Sequence, residues 1–147
     1  MKRFTIKKSI EIDAPKKKVW KVLSSPEYVN IWTSEFSEAS RVEGDLSIGG
    51  TVLYKDKEGN GLIGRVTDKK SNELLKVVFG GILSGGVEDP ENVEHGKWNG
   101  CADTYMLSER NDVTVLSIES EVPEEYFEPF IPLWDKSLRK IKQLSEW

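Results

Sequence analysis

Four groupings of residues in this chain are of types that carry chemistry. Gly59-Asn-Gly61-Leu-Ile-Gly64 has the spacing GxGxxG. That spacing holds a pyrophosphate when a strand leads through the glycines into a helix N-terminus. Here Arg65-Val-Thr-Asp68 follows and reads as strand, so the glycines are assigned to a hairpin turn that needs positive φ. His95 is the single histidine and Cys101 the single cysteine. A nucleophilic Cys–His pair needs contact and a third, orienting group. Nothing supplies one, so a solvated histidine and a small buried thiol are expected. Glu88, Asp89, Glu91, Glu94 and His95 are metal-ligating types, but their spacing fits no ligand pattern and reads as a solvated acidic loop. The fourth grouping is Asp103 with Tyr105. In a strand they share a face with Cys101 and Leu107, and Ser120 shares the inner face of the last strand with Leu116 and Ile118. Asp103 is then either a core-side carboxylate, needing a partner or a shifted pKa, or a solvated group at the sheet rim.

The aromatic residues are the stronger signal. Trp32, Tyr54, Phe79, Trp98, Tyr105, Phe127, Phe130 and Trp134 fall on elements expected to face one common space. Apolar, aromatic walls with a few polar groups suit a small-molecule site. Filling of an ordinary core is the competing account, since aromatics dominate cores as well.

These residues need elements to hold them. Phe127, Phe130, Ile131, Trp134, Leu138, Ile141 and Leu144 recur at helical spacing and place one long helix in the stretch from Pro123 to Trp147. Pro123 suits a first turn, whereas Pro129 and Pro132 predict an irregular or kinked start, with regular helix from about Pro132. Phe4, Ile6, Ile10 and Ile12 alternate as a half-buried strand. Pro15 with Val19, Trp20, Val22 and Leu23, and then Ser25-Pro26-Glu27 with Val29 and Trp32, give two short helices. Strands are expected at Phe36–Val42, Thr51–Lys55, Leu62–Thr67, Leu74–Phe79, Trp98–Leu107 and Val113–Glu121. The stretch Gly80–Lys97 is long for a connection and reads as a lid or binding loop. One strand, two short helices, six strands joined by turns and one long helix make an α+β protein with a curved antiparallel sheet around the last helix.

The 147 residues suit one domain, 1–147, with its own core. Charged residues make up 31% and apolar residues 37%, with a net charge of -4. A nucleic-acid partner would leave a basic footprint, and none is expected. No stretch approaches the ~20 apolar residues of a membrane span, and the N-terminus carries no signal-peptide run. With a lone cysteine and no disulfide framework, a reducing cytoplasm is the expected location. No cofactor motif is present and no protein partner is legible.

Ile10-Glu-Ile-Asp-Ala14-Pro15, Val19-Trp20, Leu23, Pro26-Glu27 and Trp32 resemble the opening of stand-alone proteins similar to the activator of heat-shock protein 90 ATPase. These belong to the START and birch-pollen-allergen (SRPBCC) superfamily. Leu46-Ser-Ile-Gly49-Gly50 resembles that family's entry to a strand, and Gly64-Arg-Val66, Leu107 and Thr114-Val-Leu116 fit later points. The resemblance implies a helix-grip fold with a cavity between sheet and last helix. It implies lipid or polyketide binding, cyclase activity or chaperone regulation, and no catalytic motif transfers residue by residue. Three functions follow as expectations. One is a non-enzymatic binder of a small hydrophobic or amphipathic molecule, with Asp103 or Tyr105 fixing a polar group. Another is a cyclase- or hydratase-type enzyme using the same cavity. The third is a protein-interaction module.

Overall fold

The computed structural model describes residues 2–37 and 40–147. Strand β1 (Arg3–Ile12) is followed by helices α1 (Lys16–Ser24) and α2 (Pro26–Trp32) and a 3-10 turn (Thr33–Glu35). Then come β2 (Arg41–Gly44), β3 (Thr51–Lys55), β4 (Gly61–Lys70), β5 (Leu74–Ser84), β6 (Val87–Glu88), α3 (His95–Trp98), β7 (Ala102–Arg110), β8 (Val113–Pro123) and α4 (Glu124–Glu146). All pairings are antiparallel, in the order β1-β8-β7-β5-β4-β3-β2, with β6 on β5. The two short helices and α4 cover one face of this sheet. The result is the expected helix-grip α+β arrangement.

Alternation decides the inner face. Ile6 and Ile12, Leu75, Val77 and Phe79, Tyr105 and Leu107, and Leu116, Ile118 and Val122 all point inward and are buried. Against them α4 lays Trp134, Leu138 and Ile141, and α1 lays Val19, Val22 and Leu23. Neither short helix has a side-chain cap. Pro15 and Ser25 hold the extended backbone before the first turn, and Pro26 opens α2.

Five sequence expectations are corrected. The irregular start of α4 is absent: the helix begins at Glu124 with Pro129 and Pro132 inside it. The carbonyls these prolines leave without a donor belong to Glu125 and Glu128, which are exposed, so water can satisfy them. Strand β5 does not stop at Phe79. Its register against β4 shifts at Ile63/Gly64, which breaks the alternation, and the buried Ile82 and Leu83 then continue it to Ser84. The stretch Gly80–Lys97 is thus mostly hairpin and short helix rather than a long loop. Trp98 closes α3 instead of opening a strand, and Gly100, at φ 90°, redirects the chain into β7. Phe36 follows the 3-10 turn, its amide bonded to the Thr33 carbonyl at 3.0 Å. The strand expected from Phe36 begins only at Arg41, and residues 38 and 39 lie outside the described residues.

Candidate functional site

Between the sheet and the first half of α4 lies a cavity of about 210 Å³. Aromatic rings enclose it in an unbroken series of edge-to-face and tilted contacts. Tyr54 meets Phe79 at 5.5 Å between centroids, Phe79 meets Trp98 at 6.1 Å, and Trp98 meets Phe130 at 6.0 Å. Phe130 meets Phe36 at 5.8 Å, Phe36 meets Trp134 at 5.0 Å, Trp134 meets Tyr105 at 6.1 Å, and Tyr105 meets Trp32 at 6.1 Å. These geometries are the favoured ones for aromatic pairs.

Each wall is fixed by its element. Trp32 ends α2, and its indole N–H donates to the Val22 carbonyl of α1 at 3.0 Å. Ser137 of α4 donates to the Trp32 carbonyl. Trp98 is carried by α3, which is tied to α4 through Lys97. The Lys97 ammonium reaches Glu94 at 3.0 Å and Glu125 at 2.8 Å, and the Tyr126 hydroxyl donates to Glu94. Burial, then its bond to Glu94, raises the Tyr126 hydroxyl to about 12. Tyr54 lies over Gly64 of β4, where a Cβ would meet Val77 Cγ1 at 2.6 Å and Tyr54 Cε2 at 3.2 Å. The last glycine of the GxGxxG spacing thus leaves room for the cavity wall, and Gly59, at φ 83°, makes the preceding turn.

The polar groups gather on the sheet side. Asp103 points inward, opposite Ser120 of β8 and Val77 of β5, and the Ser120 hydroxyl donates to Asp103 Oδ1 at 2.6 Å. Asp103 thus stands on the core side of the sheet, half-buried and open to the cavity. Burial raises the Asp103 carboxyl to about 7; the Ser120 bond opposes the shift and the nearby Glu121 charge adds to it. Burial, with the Asp103 charge, also holds the Tyr54 and Tyr105 phenols well above their ordinary value. Exposed Ser37, Arg41 and Asn60 border the mouth, with Lys55 and Asp56 beside them.

Of the residues expected to line such a cavity, Trp32, Tyr54, Phe79, Trp98, Asp103, Tyr105, Phe130 and Trp134 do so. Phe127 does not. It sits three residues before Phe130, and its ring packs edge-on against Phe4 at 5.2 Å on the outer strand β1. Phe36, Thr33, Val42 and Leu62 line the cavity as well and were not expected there. Phe36 follows Trp32 by four residues, which is helical spacing, and that was the available signal. Cys101 is buried, its thiol directed at the Lys97 carbonyl at 3.6 Å and raised in pKa by burial, which is the state of an inert core thiol. His95 opens α3. In the acidic stretch, Asp89 accepts from Ser84 and Glu94 is engaged by Tyr126 and Lys97.

No protein-family model and no curated protein matches the sequence. Solved structures do match in shape. Protein MLL2253 from Mesorhizobium loti superposes with a TM-score of 0.75 at 16% identity, over 96% of this chain and 96% of that one. The Aha1 dimer from Colwellia psychrerythraea gives 0.75 at 16% identity over 97% and 96%. CalU16 from Micromonospora echinospora gives 0.70 at 22% identity over 96% and 75%. At these identities the likeness is one of fold. The chain has the helix-grip α+β fold that these structures share, and among its described residues no helix is long and apolar enough to cross a membrane.

Proposed function

We propose that this protein binds a small hydrophobic or amphipathic molecule in the cavity between the sheet and α4. The observation that carries the reading is the aromatic enclosure with a polar pair, Asp103–Ser120, on its sheet-side wall beside Tyr54 and Tyr105. Apolar walls supply affinity and a few placed polar groups supply orientation. The mouth beside Arg41 and Asn60 gives a path from solvent. A cytoplasmic location is part of this reading, because a single cysteine provides no disulfide framework.

The test is native mass spectrometry of freshly purified protein, with extraction of whatever co-purifies. A defined adduct that disappears in a Phe130→Ala/Trp134→Ala variant supports the reading. A bare mass, together with tryptophan emission that does not respond to a panel of apolar ring compounds, refutes it.

A second reading has one observation in its favour. A carboxyl held at about 7 inside a cavity is matched to general acid–base work near neutrality. On that reading, as a cyclase or hydratase, Asp103→Asn abolishes turnover while neutral ligands still bind.

A further inference from the structure

The polar corner of the cavity is short of positive charge. Ser120 commits its hydroxyl to Asp103 Oδ1. Among the described residues, no basic side chain lies within ion-pair distance of the Asp103 carboxyl. The charge that acts on it is that of Glu121, of the same sign. Arg41 and Lys55 stand at the mouth, but both are paired with Glu43, at 3.6 Å and 3.1 Å, and Asp56 stands beside them. Tyr105 is 5% exposed and its hydroxyl has no hydrogen-bond partner among the described residues; neither has that of Tyr54. Both side chains line the cavity.

Three acceptors thus belong to one cavity: the free carboxyl oxygen of Asp103 and the phenolic oxygens of Tyr54 and Tyr105, both near enough to feel the Asp103 charge. Aromatic rings enclose the same cavity, and a ring face presented to a cation attracts it through the ring quadrupole. A buried carboxylate without a counter-charge is costly, and a ligand can provide that charge. We propose that the molecule this cavity takes is an organic amine in its ammonium form, carried on a compact apolar ring, with the ammonium seated between Asp103, Tyr54 and Tyr105. The proposal rests on the ligand-binding reading above and narrows it.

Size accords with this class. An apolar cavity of about 150 Å³ holds a benzene molecule, so 210 Å³ accommodates a ring with a short amine arm. Other chemistries fit less well. A carboxylate ligand would face the like charge of Asp103. A neutral alcohol could donate to Asp103, but it would leave the charge uncompensated.

The pH dependence has a definite sign. A cation favours the ionised carboxyl, whose pKa in the empty protein is pushed up to about 7 by burial. Affinity for the amine is therefore full above that pH and falls by up to about tenfold per pH unit below it. The phenols of Tyr54 and Tyr105 stay neutral throughout this range.

Calorimetric titration of the full chain with phenethylamine, phenethyl alcohol and phenylacetate tests the proposal, at about pH 8 and about pH 5.5. At the higher pH the amine is expected to bind at least about tenfold more tightly than the alcohol, as a close buried charge pair contributes this much, and the carboxylate more weakly than either. At the lower pH the amine's advantage disappears. Asp103→Asn removes the preference at both pH values and keeps the alcohol. Alcohol or carboxylate binding as tight as the amine at the higher pH overturns the proposal and leaves the ligand-binding reading intact. Failure of all three compounds to bind overturns both. The two pH arms need no variant, so poor folding of Asp103→Asn does not decide the outcome.

Discussion

The two halves of α4 grip the sheet in different ways. The second half presents Leu138, Ile141 and Ser145 to Ile6, Ile12, Val19, Val22 and Leu116, and these are buried with almost no residual exposure. The first half presents Phe130 and Trp134 to Tyr54, Phe79, Trp98 and Tyr105, and a cavity remains between them. The aliphatic chains of the second half interdigitate closely, whereas the rings of the first half surround an open space. One helix therefore closes the core at one end and holds a site open at the other. Stability should reside mainly in the aliphatic half, and recognition in the aromatic half.

The largest effect should come from the closed half. Ile141→Ala is expected to cost about 2–5 kcal/mol, read by denaturant unfolding, with ligand affinity kept wherever the protein remains folded. Asp103→Asn should act in the opposite direction. The folded-state pKa of Asp103, about 7, lies above its unfolded value near 3.8, so the native state binds the extra proton. Native stability should thus fall as pH rises from about 4 to about 7 and then level off. The variant should lose this slope and be more stable above pH 7, by on the order of 2–3 kcal/mol after allowance for partial solvation. Thermal melts across pH give both results.

Gly64→Ala attacks the boundary between the halves. Its Cβ would press on Val77 Cγ1, a buried side chain, and on the Tyr54 ring. A loss of about 1–3 kcal/mol is expected, with a shift in Tyr54 and weakened ligand binding. The smallest effect belongs to the surface tie between α3 and α4. Lys97→Ala removes two partly exposed ion pairs and should change global stability little. Hydrogen exchange in α3 should nevertheless rise, because Trp98 loses part of its support.

The same contrast separates what was legible in the sequence from what was not. The aliphatic half follows periodicity: Leu138 and Ile141 on a helix, Ile6 and Ile12 on a strand, and Val19, Val22 and Leu23 on another helix could all be placed by spacing alone. The inward set Leu75, Val77, Phe79 and Asp103, Tyr105, Leu107 followed from parity. Parity failed where the backbone departs from regular pleating. The bulge opposite Gly64 hid the second half of β5, and the Gly100 turn moved Trp98 from strand to helix. Prolines 129 and 132 looked disruptive because sequence alone does not show that the carbonyls they orphan face water. Phe127 and Phe130 are both apolar residues of one helix. Only the position of β1 beside the start of α4, where Phe4 receives Phe127, separates the outer ring from the cavity ring. The partner that Asp103 needs, Ser120, was readable as a neighbour on the inner face, but the shift in its titration depends on enclosure that three-dimensional packing alone supplies.

The central claim is that the aromatic half is open to a ligand and the remainder is not. The five tryptophans offer an internal control. Trp32, Trp98 and Trp134 line the cavity, while Trp20 lies on α1 and Trp147 is 98% exposed at the C-terminus. Indole N–H signals in nitrogen-15 correlation spectra, followed during titration with phenethylamine, test the claim directly. Saturable shifts at Trp32, Trp98 and Trp134, with Trp20 and Trp147 unmoved, are predicted. Shifts spread equally over all five, or no saturable shift at the three, would contradict the account.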